Sequence, residues 1–167
     1  SGISQKQNVG EVQIWGMELN AEYDPFKFMD IDVLKKFTVF ANYTFNDSRI
    51  ADFPGRPDLV GKLLSYTPQN SANVGFTWLN KYVNNKLAVQ YVGEMYSDDI
   101  NTSNTTIAPH ALLNGKIWRN LDFFQYGEHM ELSLSAQNIL DHRYIDSRNA
   151  NGENPGRLLF LELTCKF

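Results

Sequence analysis

The sequence predicts an all-β fold, an antiparallel up-and-down sheet, and three observations predict it. Seven segments alternate apolar and polar residues at period two, the mark of strands with two unlike faces. Aromatic residues make up 13% of the chain, as 11 Phe, 8 Tyr and 3 Trp, and many stand where an alternating segment begins or ends. Hydroxyl and amide residues dominate the connections, and helical periodicity is scarce.

The first segment, EVQIWGMELNAEYDP, sets Met17, Leu19, Ala21 and Tyr23 against Glu18, Asn20 and Glu22, and Pro25 ends it. KFTVFANYTFND sets Phe37, Val39, Ala41, Tyr43 and Phe45 against Thr38, Phe40, Asn42, Thr44 and Asn46. SANVGFTW is shorter, with Ala72, Val74, Phe76 and Trp78 on one side. KLAVQYVGEMYSDD predicts one strand with Leu87, Val89, Tyr91, Gly93 and Met95 on a common face. HALLNGKIWRNL is less regular, although Leu113, Gly115, Ile117 and Arg119 alternate with Asn114, Lys116 and Trp118. HMELSLSAQNIL is the cleanest, with Met130, Leu132, Leu134 and Ala136 against Glu131, Ser133, Ser135 and Gln137. GRLLFLELTCKF gives the seventh strand, with Leu159, Leu161, Leu163, Cys165 and Phe167 on one face.

Composition removes several classes of function. The 167 residues suffice for one domain with a real core. The mean hydropathy is −0.38, and no stretch approaches the roughly 20 apolar residues of a membrane helix. Membrane strands pass that test unseen, because they are only about 10 residues long and apolar at alternate positions. A net charge of −4 without a basic stripe argues against nucleic acid as a partner. The single Cys165 permits neither an internal disulfide nor a zinc cluster. His110, His129 and His142 lie far apart in sequence, so no metal site is expected, and no cofactor. Glu131, Ser133 and Ser135 share a strand face without a histidine in reach, so no catalytic residues are assigned and the chain is not read as an enzyme.

The connections alternate in length. Residues 25–35, 79–85 and 120–129 form the shorter set, and 47–69, 97–110 and the stretch DSRNANGENPG the longer one. Outer-membrane barrels have short periplasmic turns and long extracellular loops, so the pattern predicts a transmembrane β-barrel with every long connection outside. The faces opposite the apolar ones carry Ser, Thr, Asn and Gln, which suits a wet or plugged lumen. Rings at the shorter turns read as a membrane-interface girdle: Tyr23, Trp78, Tyr82, Trp118, Phe123 and the terminal Phe167.

At this level of detail the residues resemble a known family. GMELNAEYDP is similar to a strand of TonB-dependent outer-membrane receptors, and GKLLSYTPQNSANVGFTW to the loop that leads into a later one. LSLSAQNILDHRYIDS resembles the penultimate strand of that family, with Asn138, Ile139, Leu140, Asp141 and Tyr144 at the motif positions. PGRLLFLELTCKF resembles the final strand, ending on Phe167. The resemblance implies a barrel of about 22 strands around an N-terminal plug, of which residues 1–167 are the C-terminal part, about seven strands, without the plug. It further implies an outer-membrane location and import of a scarce extracellular ligand, an iron-siderophore chelate ahead of haem, cobalamin or a glycan. The implied partners are outer-membrane lipid, the remaining strands and plug, and the inner-membrane TonB energy-coupling complex.

Ligand contact is expected from the long loops and the lumen face at their bases, at Arg49, Arg56, Tyr66, Tyr96, Arg143, Tyr144 and Arg148. Arginine forks suit anionic chelates, and tyrosine suits aromatic or sugar surfaces. Two other readings of the same pattern are a complete small barrel, structural or adhesive, closed by an eighth strand within residues 1–11, and a soluble carbohydrate-binding β-sandwich.

Overall fold

Seven strands hydrogen-bond side by side in one antiparallel sheet in this computed structural model, which describes residues 10–29, 34, 36–121, 129–145, 154 and 156–166. In chain order the strands are β1 Glu11–Tyr23, β2 Phe37–Asp52, β3 Asn70–Trp78, β4 Asn84–Val92, β5 Met95–Tyr96, β6 Thr106–Ile107, β7 His110–Leu121, β8 His129–Gln137 and β9 Leu158–Lys166. The sheet order is β1-β2-β3-β4-β7-β8-β9, while β5 and β6 form a separate hairpin. Each strand of the sheet therefore lies beside its neighbours in sequence, an up-and-down meander. The sheet is open, with β1 and β9 as its two edges.

The register makes the two faces unlike. Tyr23, Val39, Phe76, Leu87, Gly115, Ala136 and Leu159 stand opposite one another in turn, one apolar row across all seven strands. On the other face Asn20, Asn42, Asn73 and Gln90 form an amide row across β1 to β4. The Asn42 amide donates to Asn20 Oδ1 at 2.6 Å. A slip of one residue in any pair would carry apolar side chains into the amide row, so the alternation holds the register. Gly75 serves one close approach on this polar face. A Cβ there would stand 2.8 Å from the ring of Phe40, its cross-strand partner.

Burial runs opposite to that of a water-soluble sheet. Leu161 is 76% exposed, Leu159 66% and Leu163 56%. The buried apolar side chains, Ile50, Leu59, Met95 and Ile107, all belong to the end of the molecule that carries the long connections. No described helix is long and apolar enough to cross a membrane; Pro57–Leu59 forms a 3-10 turn.

Three expectations need correction. The long connection read as 47–69 starts later, because β2 continues to Asp52. Residues 61–69 run back along it, with Ile50 N–H donating to Lys62 O and Leu64 N–H to Ser48 O. The strand predicted to run on past Tyr96 stops at Val92, and Met95 leaves the common face to become buried in the β5–β6 hairpin. Trp118 stands in register with Asn84 and Ser133 on the polar face, and the Lys116 ammonium lies 5.6 Å from its ring centre. It is not a ring of the apolar-side girdle, because the pleat gives alternate residues to opposite faces.

Candidate ligand site

The two ends of the sheet are built differently, and the rings expected to form a girdle show it. At the turn end Tyr23 and Trp78 close the apolar face, beside a stack of Phe37 on Phe76 at 5.1 Å with Phe26 edge-on to Phe37 at 5.5 Å. Tyr82 lies in the β3–β4 turn, exposed, with the Lys81 ammonium 4.8 Å from its ring centre. Phe123 and Phe167 lie outside the described residues. The loop end has rings that the sequence reading missed. Trp15 packs on Phe45 at 5.3 Å and donates its indole N–H to Asp47 Oδ2 at 3.3 Å. Tyr43 donates its hydroxyl to Asn70 Oδ1 at 2.6 Å. The signal was available: Trp15 and Tyr43 share a parity with the apolar residues of their own strands.

Above those rings the loops are bolted together. The Asn101 side chain imitates a strand partner for Leu63, accepting its N–H at 2.7 Å and donating to its carbonyl at 2.9 Å. Asp99 Oδ1 accepts the Ser65 N–H at 3.0 Å. Asn101 pays for this with a left-handed backbone, φ 58°, a region that Asn tolerates better than most residues. Asp98 holds that backbone, accepting the Asn101 N–H at 2.8 Å and the Thr102 hydroxyl at 3.2 Å. Burial acts to raise the Asp98 carboxyl, but hydrogen bonds from Thr105, Thr102 and the Asn101 amide outweigh it and hold the group below its ordinary value.

The penultimate-strand motif is a latch. Asn138 is buried with φ 50° and receives the His142 N–H at 2.9 Å on Oδ1, while its amide donates to His142 O at 2.8 Å. Its own N–H donates to Asn114 Oδ1 at 2.9 Å, which ties the turn to β7. Asp141, also left-handed at φ 54°, accepts the Arg157 N–H at 2.8 Å, so the turn grips the start of β9. Gly156 makes this approach feasible, since a Cβ there would run into the Asp141 carboxylate. Tyr144 then stacks on His110, ring centres 4.3 Å apart.

These loops and the upper polar face enclose a cavity of about 490 Å³, lined by Tyr66, Gln90, His110, Asn114, Gln137 and Tyr144 among others. Two predicted contact residues, Tyr66 and Tyr144, therefore meet in one place. Tyr66 sits at φ 55°, costing roughly 1–2 kcal/mol for a residue of its size, and its N–H is held by Tyr96 O at 2.7 Å. Tyr96 itself lines a different cavity, of about 320 Å³.

The predicted arginines are placed otherwise. Arg49 pairs with Asp47 at 3.0 Å and donates to Gly61 O at 3.0 Å. Arg56 forks onto both carboxylate oxygens of Asp58, with a shortest contact of 2.8 Å. That bond lowers the Asp58 carboxyl and raises the Arg56 guanidinium. Arg143 is exposed and lines neither cavity, and Arg148 lies outside the described residues. In sequence, Asp47, Asp52 and Asp58 balance Arg49, Arg56 and Lys62 in one loop, whereas Glu94, Asp98 and Asp99 meet no Lys or Arg between 94 and 109. Among the described residues, no cluster of His, Cys, Asp or Glu is arranged to hold a metal.

Comparison with known proteins bears on the whole wall. The family described as TonB dependent receptor-like, beta-barrel matches residues 1–139. No curated protein matches the chain. Among solved structures, the unliganded ferric citrate transporter FecA superposes with a TM-score of 0.73 at 19% identity, over 92% of this chain and 24% of its own. The ferric yersiniabactin uptake receptor FyuA from Yersinia pestis gives 0.66 at 20% identity, over 96% of this chain and 24% of its own. The ferric preacinetobactin receptor BauA from Acinetobacter baumannii gives 0.71 at 15%, over 95% and 22%. The chain thus spans about a quarter of each, in their fold. With most of its length matched and its sheet an open segment of barrel wall, the chain belongs to the TonB-dependent receptor β-barrel family.

Proposed function

We propose that this chain is part of the wall of an outer-membrane receptor that imports a scarce extracellular ligand, a ferric siderophore chelate, in a Gram-negative cell. The observation that carries the reading is the apolar row running unbroken across seven strands on a face left exposed. Water would penalise such a face, and hydrocarbon is the solvent that fits it. Trp15 and Tyr23 are eight residues apart on β1, about 27 Å along the strand at roughly 3.4 Å per residue. On this reading rings at the two levels lie toward the two headgroup layers, with lipid as the partner between them.

The same solvent argument speaks for further strands. An unpaired backbone group costs several kcal/mol in hydrocarbon, so the edges at β1 and β9 call for partner strands outside this chain. On this reading the polar face lines a lumen filled by a plug, and coupling to the TonB complex runs through parts beyond these residues. The solved neighbours named above are ferric-chelate transporters or receptors, which supports the iron cargo. A β-sandwich would cover its apolar face, and the described sheet does not.

The test is uptake of radioactive ferric chelates by cells that depend on the full receptor. Uptake is expected to require the inner-membrane coupling complex, while binding at the cell surface survives its removal. Uptake that persists without the complex would overturn the reading.

A further inference from the structure

Resting on the receptor reading above, we infer that the 320 Å³ cavity at the loop end of the wall binds the sugar headgroup of a glycolipid from the outer leaflet, with an acyl chain lying along the apolar face beneath it. The lining shows which side of the sheet it serves. Asn70 stands opposite Phe45 and Tyr91 opposite Ala72, so both share the parity of the apolar residues. The larger cavity draws Gln90, Asn114 and Gln137 from the polar face. A ligand crossing the lumen meets the larger one, and a lipid at the outer surface meets this one. Two main-chain bonds give the cavity its shape: Gly93 N–H donates to Asn70 O at 2.8 Å, and Tyr66 N–H to Tyr96 O at 2.7 Å.

The chemistry of the lining suits a sugar. Glu94, Gln69, Asn70 and Thr67 bring a carboxylate, two amides and a hydroxyl to it. A carboxylate accepts hydroxyl hydrogens, and an amide both donates and accepts, so the set matches a ring of hydroxyl groups. Two of these side chains are held from the side: the Gln69 amide donates to Asp47 Oδ1 at 3.3 Å, and Asn70 Oδ1 accepts the Tyr43 hydroxyl at 2.6 Å. Tyr91 and Tyr96 add ring surfaces with polar tips, the form of side chain suited to a boundary between lipid and water. The apolar face below continues the site. Tyr43 and Tyr91 stand on either side of Ala72, on strands about 10 Å apart, and are 36% and 40% exposed. The small Ala72 leaves a furrow between them. It runs on to Val74 and Val89, opposite one another and 49% and 44% exposed. An acyl chain in that furrow delivers its headgroup to the cavity, and the face already read as lipid-facing is where such chains lie.

The experiment titrates three probes into the full receptor, held in a sugar-free polyoxyethylene detergent, and reads binding by native mass spectrometry. Dioleoyl diglucosylglycerol and dioleoyl phosphatidylcholine share their chains and differ in headgroup, and maltose is a disaccharide without chains. The glycolipid is expected to bind at least about tenfold more tightly than the phosphatidylcholine, the difference that one good hydrogen bond to a charged group makes. Maltose is expected to bind more weakly than the glycolipid. Glu94 is exposed, so Glu94→Ala removes a headgroup contact without opening the fold; it is expected to weaken the glycolipid about tenfold and leave the phosphatidylcholine unchanged. Ala72→Phe fills the furrow and is expected to weaken the glycolipid while leaving maltose unchanged. Equal affinity for the two lipids, or a glycolipid affinity that neither variant moves, overturns the inference and leaves the receptor reading intact. Maltose binding as tightly as the glycolipid also overturns it, because the chain then plays no part. Failure of both lipids to bind overturns the inference together with the lipid-facing wall on which it rests.

Discussion

The wall and the loop end of this molecule obey opposite rules of burial. In the wall, Leu159, Leu161 and Leu163 are exposed and the side facing the other way carries Asn20, Asn42 and Asn73. At the loop end, Ile50, Leu59, Met95 and Ile107 are buried beneath a polar skin, as in any water-soluble domain. The rule changes partway along β2, between Phe45 and Ile50. Exposure of an apolar side chain is informative only when the surrounding medium is known. The contrast also explains why hydrogen bonds are spread so unevenly. The wall is held mainly by its backbone ladder, and the loops need Asn101, Asp98 and Asp99 to satisfy a backbone that has no ladder.

The sharpest way to break that contrast is to place charge on each face of the wall. Leu134 and Leu161 stand opposite one another on the apolar side. Leu134→Arg and Leu161→Arg are each expected to cost about 2–4 kcal/mol when the site lies near the bilayer midplane. Ser135→Arg and Glu162→Arg, one step along and on the polar face, are expected to cost far less. Folding of the full receptor into lipid vesicles compares the four, and equal costs on both faces would remove the distinction.

A second test addresses the loop core. Leu59→Ala is expected to loosen the loops by about 2 kcal/mol, the low end for a buried leucine, because a surface segment can collapse into the gap. Hydrogen exchange should then speed up in the loops and leave the wall strands unchanged. Faster exchange throughout the sheet would show that the two regions share one core. Asn101→Ala removes two hydrogen bonds to Leu63 and is expected to cost about 1–2 kcal/mol, read as lost protection at the Leu63 amide.

The smallest effect is one of pH. Because the Asp98 carboxyl is held below its ordinary value, its contribution is fully present above the unfolded carboxylate pKa of about 3.9. It is lost as pH falls through the lower folded value. Protection of the Asn101 amide is therefore expected to be the same at pH 7 and pH 5 and to fall only in stronger acid. A loss already at pH 6 would point to a histidine instead.

The strands were legible because two unlike faces force an alternation that no short helix imitates, and β8 shows it most clearly. The upper half of β2 was not, because DSRIAD lies beyond the apolar band and reads like any polar loop; its partner at residues 61–69 has no strand pattern either. The face of Trp118 follows from parity within β7, yet aromatic identity near a turn outweighed parity in the reading. For Arg49 and Arg56 a signal stood in plain view. Each has an Asp two residues away, and in an extended or turning segment such neighbours reach one another. That Tyr66 and Tyr144 line one cavity had no such signal, since it depends on how residues 61–69 and 138–145 lie over the wall.

The Asn101 clasp has a kinetic consequence. A side chain that completes another loop's backbone pairing, with Asp99 fixing the adjacent residue, leaves the connection after β2 and the β5–β6 hairpin no independent coordinate along which to swing. Whatever opens one must carry the other as cargo, so the pair has a single relaxation time where two separate loops would have two. Spectroscopic labels placed on Val60 and on Ser103, both exposed, should report the same rate, and replacing Asn101 together with Asp99 should loosen that coupling, with the Tyr66–Tyr96 backbone bond left as the remaining tie.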